Sequence, residues 1–93
     1  MGEKIRRHMI FDGRVQGVGF RYRAYDAACS FGLTGWVRNL ADGTVEMEVQ
    51  GGRELIDRLV HALDSGSYVR IDRVESELRP FEAGEICFQI LDA

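Results

Sequence analysis

The sequence predicts an α+β sandwich, with two helices on one face of a mostly antiparallel sheet. Three observations predict it: short runs whose apolar residues alternate, two runs whose apolar residues recur at helical spacing, and the order in which these runs follow one another. A chain of 93 residues supplies one hydrophobic core and not two, so residues 1–93 are expected to form a single domain.

Residues 7–11 set Met9 and Phe11 on one face and His8 and Ile10 on the other. Apolar residues on both faces mark a central strand. Phe20, Ala24, Ala27, Ala28 and Phe31 then repeat at helical spacing over a helical run at 24–31, with Gly32 as its stop. Residues 34–40 and 44–50 flank Ala41, Asp42 and Gly43 and should form an antiparallel hairpin. In its second arm Val45, Met47 and Val49 face the core, and Thr44, Glu46, Glu48 and Gln50 face water. Residues 53–64 make the cleanest helix, with Leu55, Ile56, Leu59, Val60 and Leu63 in one stripe and Gly66 ending it. Residues 68–78 read as a strand whose apolar register changes between Ile71 and Val74, which predicts a β-bulge near Asp72 and Arg73. Pro80 breaks that strand, and Ile86, Phe88 and Ile90 alternate in a short closing one. The order β-α-β-β-α-β plus a short C-terminal strand is that of ferredoxin-like domains, a fold that hosts too many activities to name one.

Composition narrows the partners. The formal charge is −3, yet residues 1–23 hold Lys4, Arg6, Arg7, Arg14, Arg21 and Arg23 against only Glu3 and Asp12. A basic N-terminal region on an acidic body suits a small anion better than a polyanion, whose affinity needs many phosphate contacts, so no nucleic-acid partner is expected. The acidic outer face of the hairpin would also repel RNA. No apolar run is long enough to span a membrane and no signal-peptide core is present, which leads to an expected cytoplasmic location without membrane contact. Cys29 and Cys87 are expected to be buried free thiols. With His8 and His61 they match no metal-binding spacing, so neither a metal nor another cofactor is expected.

The stretch Gly13-Arg14-Val15-Gln16-Gly17-Val18-Gly19-Phe20-Arg21 joins the first strand to the first helix. Its glycines allow successive backbone N–H groups to converge, and the helix N-terminus aims further N–H groups and a positive dipole end at the same point. Arg21 lies at the end of the helix where a cation is disfavoured, unless an anion binds there. The other reading is a Gly-rich turn ringed by solvated arginines. Neither the Walker nor the dinucleotide register is present. Asn39 ends the second strand. Asparagine commonly bonds local backbone near a turn, but in a split β-α-β unit Asn39 could instead face the glycine loop. His8 is expected to face a helix or solvent and His61 to lie on the polar side of the second helix, neither with a chemical role. Trp36 and Tyr25 are expected to pack, and Arg14, Arg23 and Arg38 to raise the local positive potential.

Two stretches carry a family resemblance. The segment from Gly13 to Arg21 resembles the first signature of the acylphosphatases, and Gly35-Trp36-Val37-Arg38-Asn39, followed by Gly43, Val45 and Gly51, resembles the second. The resemblance implies a metal-independent hydrolase that splits acyl phosphates into a carboxylate and inorganic phosphate. It implies that backbone N–H groups of Val15, Gln16, Gly17, Val18, Gly19, Phe20 and Arg21 hold the phosphoryl group, that the Arg21 side chain binds it too, and that Asn39 orients the attacking water. A monomer with no partner beyond its substrate and product is expected. One rival is a regulatory module of the same fold that binds phosphate without turnover; another is a piece of a larger carbamoyl-phosphate-handling maturation protein, against which the absence of a linker or zinc-finger cysteines after Ala93 is set. The chain departs from the usual family pattern at Gly66-Ser67, where Gly-Pro is common, and at Leu91-Asp92-Ala93, where a basic and aromatic pair is common.

Overall fold

In the computed structural model, which describes residues 3–65 and 68–91, the elements run β1 (Lys4–Arg14), α1 (Phe20–Ser30), β2 (Thr34–Asn39), β3 (Val45–Gly52), α2 (Arg53–Asp64), β4 (Arg70–Arg79) and β5 (Phe88–Ile90). The sheet order is β4-β1-β3-β2-β5, antiparallel throughout except where β5 pairs parallel with β2. This is the expected α+β ferredoxin-like arrangement. β1 is central, paired with β3 on one side and β4 on the other.

The helices cover one face of this sheet. Phe20, Ala24 and Ala28 of α1 and Ile56, Leu59 and Leu63 of α2 are buried against Met9, Phe11, Val37, Val45, Met47 and Val49. Each large aliphatic or aromatic side chain buried this way contributes about 1.5–3 kcal/mol. Helix α1 ends as expected at Gly32: the Gly32 and Leu33 N–H groups donate to the Cys29 and Ala28 carbonyls at 3.2 and 2.8 Å, which satisfies the last turn. The expected stop of α2 at Gly66 lies outside the described residues, as do Ser67, Asp92 and Ala93 of the family departures.

The bulge falls where the change of apolar register placed it. Asp12 pairs with Arg73 and Gly13 with Ile71, so Asp72 is the extra residue. Gly13 has φ +135°, and a Cβ there would run into the Arg70 carbonyl oxygen.

The opposite face of the sheet departs from expectation. It is a network of charges, and only part of it is wet. Arg6 is 2% exposed and donates to Glu48 at 2.7 Å, Glu85 at 2.9 Å and the Gln50 side-chain oxygen at 3.1 Å. Gln50 is buried, not solvated, because its amide exchanges two hydrogen bonds with the Glu82 backbone, both at 2.9 Å. Burial alone would weaken the hold of Arg6 on its proton, but the bonds to Glu85 and Glu48 outweigh it and raise its pKa above the ordinary value. β1 extends beyond residues 7–11, from Lys4 to Arg14, and near its start Arg6 is clamped by acids from far along the chain. His8 lies on this same face, away from the helices, partly exposed and bonded to Glu46 at 2.7 Å. Cys29 and Cys87 are free but exposed. Cys29 lies on the outer side of α1, and Cys87 precedes β5, so neither reaches the core.

Candidate active site

The loop between β1 and α1 is anchored at both ends by apolar side chains. Val15 and Phe20 are each 1% exposed, and the Phe20 ring packs against Phe11 with centroids 5.1 Å apart. Between these anchors Gly17 and Gly19 have φ +74° and +78°. Both lie in the left-handed region, where a side chain is costly and from which successive N–H groups can converge on one point. Gly19 is also the N-cap of α1, with no side-chain cap and no acid in the first turn. The first N–H groups of α1 therefore have no carbonyl partner inside the helix.

Asn39 reaches this loop from across the fold. It continues the inward alternation of Gly35 and Val37 in β2, so its side chain lies on the helix side of the sheet. The turn reading is not realised. Asp42 caps the turn instead, its Oδ1 accepting from the Thr44 N–H at 3.0 Å and from the Thr44 hydroxyl at 2.6 Å. Those bonds favour the charged carboxylate and lower the Asp42 pKa. The Oδ1 of Asn39 is buried and, among the described residues, has no hydrogen-bond partner.

Together these parts enclose a concavity of about 120 Å³ lined by Val15, Gly17, Gly19, Phe20, Arg21, Tyr22 and Asn39. Gln16 and Val18 do not line it. Val18 packs on the core, and the Gln16 side chain reaches out to the β2–β3 hairpin. Tyr22, not singled out by the sequence, lines the mouth while 65% exposed. Its signal was its place next to Arg21 at the start of the helix.

Arg21 is set apart by its place rather than by lacking an acid, since Arg7, Arg14, Arg23 and Arg58 also pair with no acid among the described residues but do not line the concavity. Arg6, Arg38, Arg53, Arg70, Arg73 and Arg79 each hold an acid. Arg21 pairs with none among the described residues, and its charge is available to the concavity. Arg23 and Arg38 do not join it. Arg23 donates to the Ala62 carbonyl at the end of α2, at 2.9 Å. Arg38 bonds Glu46 at 2.6 Å over the Trp36 ring, on the far face of the sheet. A larger concavity of about 590 Å³ lies between α2 and β4. Its walls mix Asp57, Asp64 and Asp72 with Arg7 and Arg73, without a convergent set of donors.

Residues 7–90 match the family model described as Acylphosphatase. The chain belongs to the acylphosphatase family. It is 48% identical over 85 residues to an acylphosphatase of Trichormus variabilis, covering 84% of each chain. The acylphosphatase structure from Bacillus subtilis superposes with TM-score 0.86 at 33% identity, over 94% of this chain and 98% of that one. The structure of T. kodakarensis HypF matches with TM-score 0.82 at 32% identity over 98% of this chain but only 12% of that one. An acylphosphatase-like fold thus also occurs inside a longer protein. Both stretches that carry the resemblance reach this concavity: Val15, Gly17, Gly19, Phe20 and Arg21 of the first line it, and Asn39 of the second does, at the end of β2.

Proposed function

We propose that the concavity holds the phosphoryl end of an acyl phosphate and hydrolyses it to a carboxylate and inorganic phosphate. Backbone N–H groups between Val15 and Arg21 would bind the phosphoryl oxygens, with the Arg21 guanidinium neutralising the remaining charge. A water donating one hydrogen to Asn39 Oδ1 is held with a lone pair towards phosphorus. Its oxygen bonds to phosphorus as the phosphorus–acyl oxygen bond breaks, the electron pair leaves on the carboxylate, and the water's proton passes to the phosphate or to solvent. The leaving carboxylate has a conjugate acid of pKa near ~4, so it departs without a proton donor. Hence positioning and charge stabilisation suffice, and among the described residues no histidine, carboxylate or thiol lines the concavity.

One observation carries this reading. An acceptor with no hydrogen-bond partner among the described residues, Asn39 Oδ1, lines the same small concavity as Arg21, an arginine that pairs with no acid among those residues. Phosphate binding and water binding are then two functions of adjoining groups. The residues proposed for the site, Arg21, Asn39 and the glycine loop, all come from one chain, which supports a monomer acting without a protein partner. The two free thiols suit a reducing compartment such as the cytoplasm. Hydrolysis of an aryl acyl phosphate in excess chelator, beside Asn39→Ala, tests the reading. The variant should lose on the order of 10²-fold in kcat while inorganic phosphate inhibits both proteins equally. Equal losses of turnover and phosphate affinity would remove the water-positioning role, and a folded protein that binds phosphate without turnover would be the regulatory module.

A further inference from the structure

The Gln16 side chain makes a contact that phosphate binding does not require. Its amide nitrogen donates to the Leu40 carbonyl at 2.8 Å and to the Thr44 carbonyl at 2.9 Å, spanning from the glycine loop to the closed end of the β2–β3 hairpin. Both carbonyls already accept a backbone N–H, the Leu40 carbonyl from Gly43 at 3.2 Å and the Thr44 carbonyl from Leu40 at 2.9 Å. The hairpin therefore closes without Gln16, and a carbonyl's second lone pair could be met by water. What the two added bonds fix is distance: they hold the loop against the residues on either side of the turn that follows Asn39.

We infer that Gln16 is a positioning residue for hydrolysis, clasping the Asn39-bearing hairpin to the phosphate loop so that water and phosphoryl group are held in register. The inference rests on the proposed role of Asn39. The loop's own shape comes from elsewhere, from the left-handed Gly17 and Gly19 and the buried Val15 and Phe20. Loss of the clasp should leave phosphate bound and displace the water. Misplacement by about 1 Å in an oriented reaction costs on the order of 10²-fold in rate.

The test is Gln16→Met, which keeps the length and removes both donors, measured alone and combined with Asn39→Ala for aryl acyl phosphate turnover and for inhibition by inorganic phosphate. Gln16→Met should lower kcat at least about tenfold, with phosphate inhibition changed less than about twofold. In the double variant it should add nothing to the loss from Asn39→Ala, because coupled residues are not additive. Parallel loss of kcat and phosphate affinity, or additive losses in the double variant, would overturn the inference. Full kcat in Gln16→Met beside a collapsed Asn39→Ala would overturn it while leaving the Asn39 role intact. Full kcat in Asn39→Ala would remove both. If Gln16→Met fails to fold, the unaltered protein decides: the Gln16 side-chain amide protons should show hydrogen-bond couplings to the Leu40 and Thr44 carbonyls by NMR, and rapid exchange with solvent would refute the clasp.

Discussion

Alanine at Gly17 and at Gly13 should give opposite outcomes, although both glycines lie in one signature and both have positive φ. At Gly17, φ is +74° and a Cβ meets nothing within 4 Å. The cost is then only that of an L-residue in the left-handed region, about 1–2 kcal/mol. At Gly13, φ is +135°, where essentially only glycine is comfortable, and the Cβ would overlap the Arg70 carbonyl and lie 2.9 Å from the Asp72 nitrogen. Backbone strain and overpacking each cost about 1–3 kcal/mol, and neither can relax without opening the β1–β4 bulge, so a total on the order of 2–6 kcal/mol is expected. Against a stability of about 5–15 kcal/mol for a domain of this size, the Gly13 variant loses much of its margin and the Gly17 variant does not. Urea unfolding followed by circular dichroism measures both, and inhibition by inorganic phosphate reports the loop. Gly17→Ala should stay folded with weakened phosphate binding. Gly13→Ala should unfold at far lower urea. Equal destabilisation of the two variants would refute the steric account of the bulge.

Three further outcomes are expected. Arg21→Ala should abolish phosphate inhibition and lower kcat/KM roughly 10²–10³-fold, and Arg21→Lys should restore only part of this, because an ammonium lacks the planar fork of donors. Arg6→Met should destabilise the protein by about 3–5 kcal/mol in urea unfolding, since it strands Glu48 and Glu85 beside a buried position; a near-neutral result would show that those acids reach water. Glu46 gives an acid limb: burial opposes its ionisation, but the bonds from His8 and Arg38 outweigh it and hold its pKa below 4.5. Its contribution is present above that value and lost as pH falls through the lower folded pKa, so Glu46→Gln should flatten the decline of thermal stability below about pH 4.5. An unchanged slope would contradict the pairing.

The parts legible in the sequence are those that a residue's neighbours along the chain dictate. Period-2 and period-3.6 patterns located both helices, the hairpin and the last strand, because burial on one face selects the backbone geometry that repeats at that period, although α1 begins at Phe20 rather than Ala24 and Ile86 is exposed outside β5. The slip between Ile71 and Val74 located the bulge to Asp72 or Arg73, and Asp72 is the extra residue, since one extra residue must reset which face is apolar. Gly17 and Gly19 marked the loop because their left-handed backbone admits little else. Tertiary structure alone decided the polarity of the outer face. Arg6 is buried by Glu85, 79 residues away, and Gln50 by the Glu82 backbone, 32 residues away, so no local pattern could show either as anything but solvated. It also decided that Asn39 leaves its turn and meets the loop, and that Gln16 reaches the hairpin 24 residues on. Periodicity encodes which way a side chain points; what it finds there depends on segments that only the folded chain brings together.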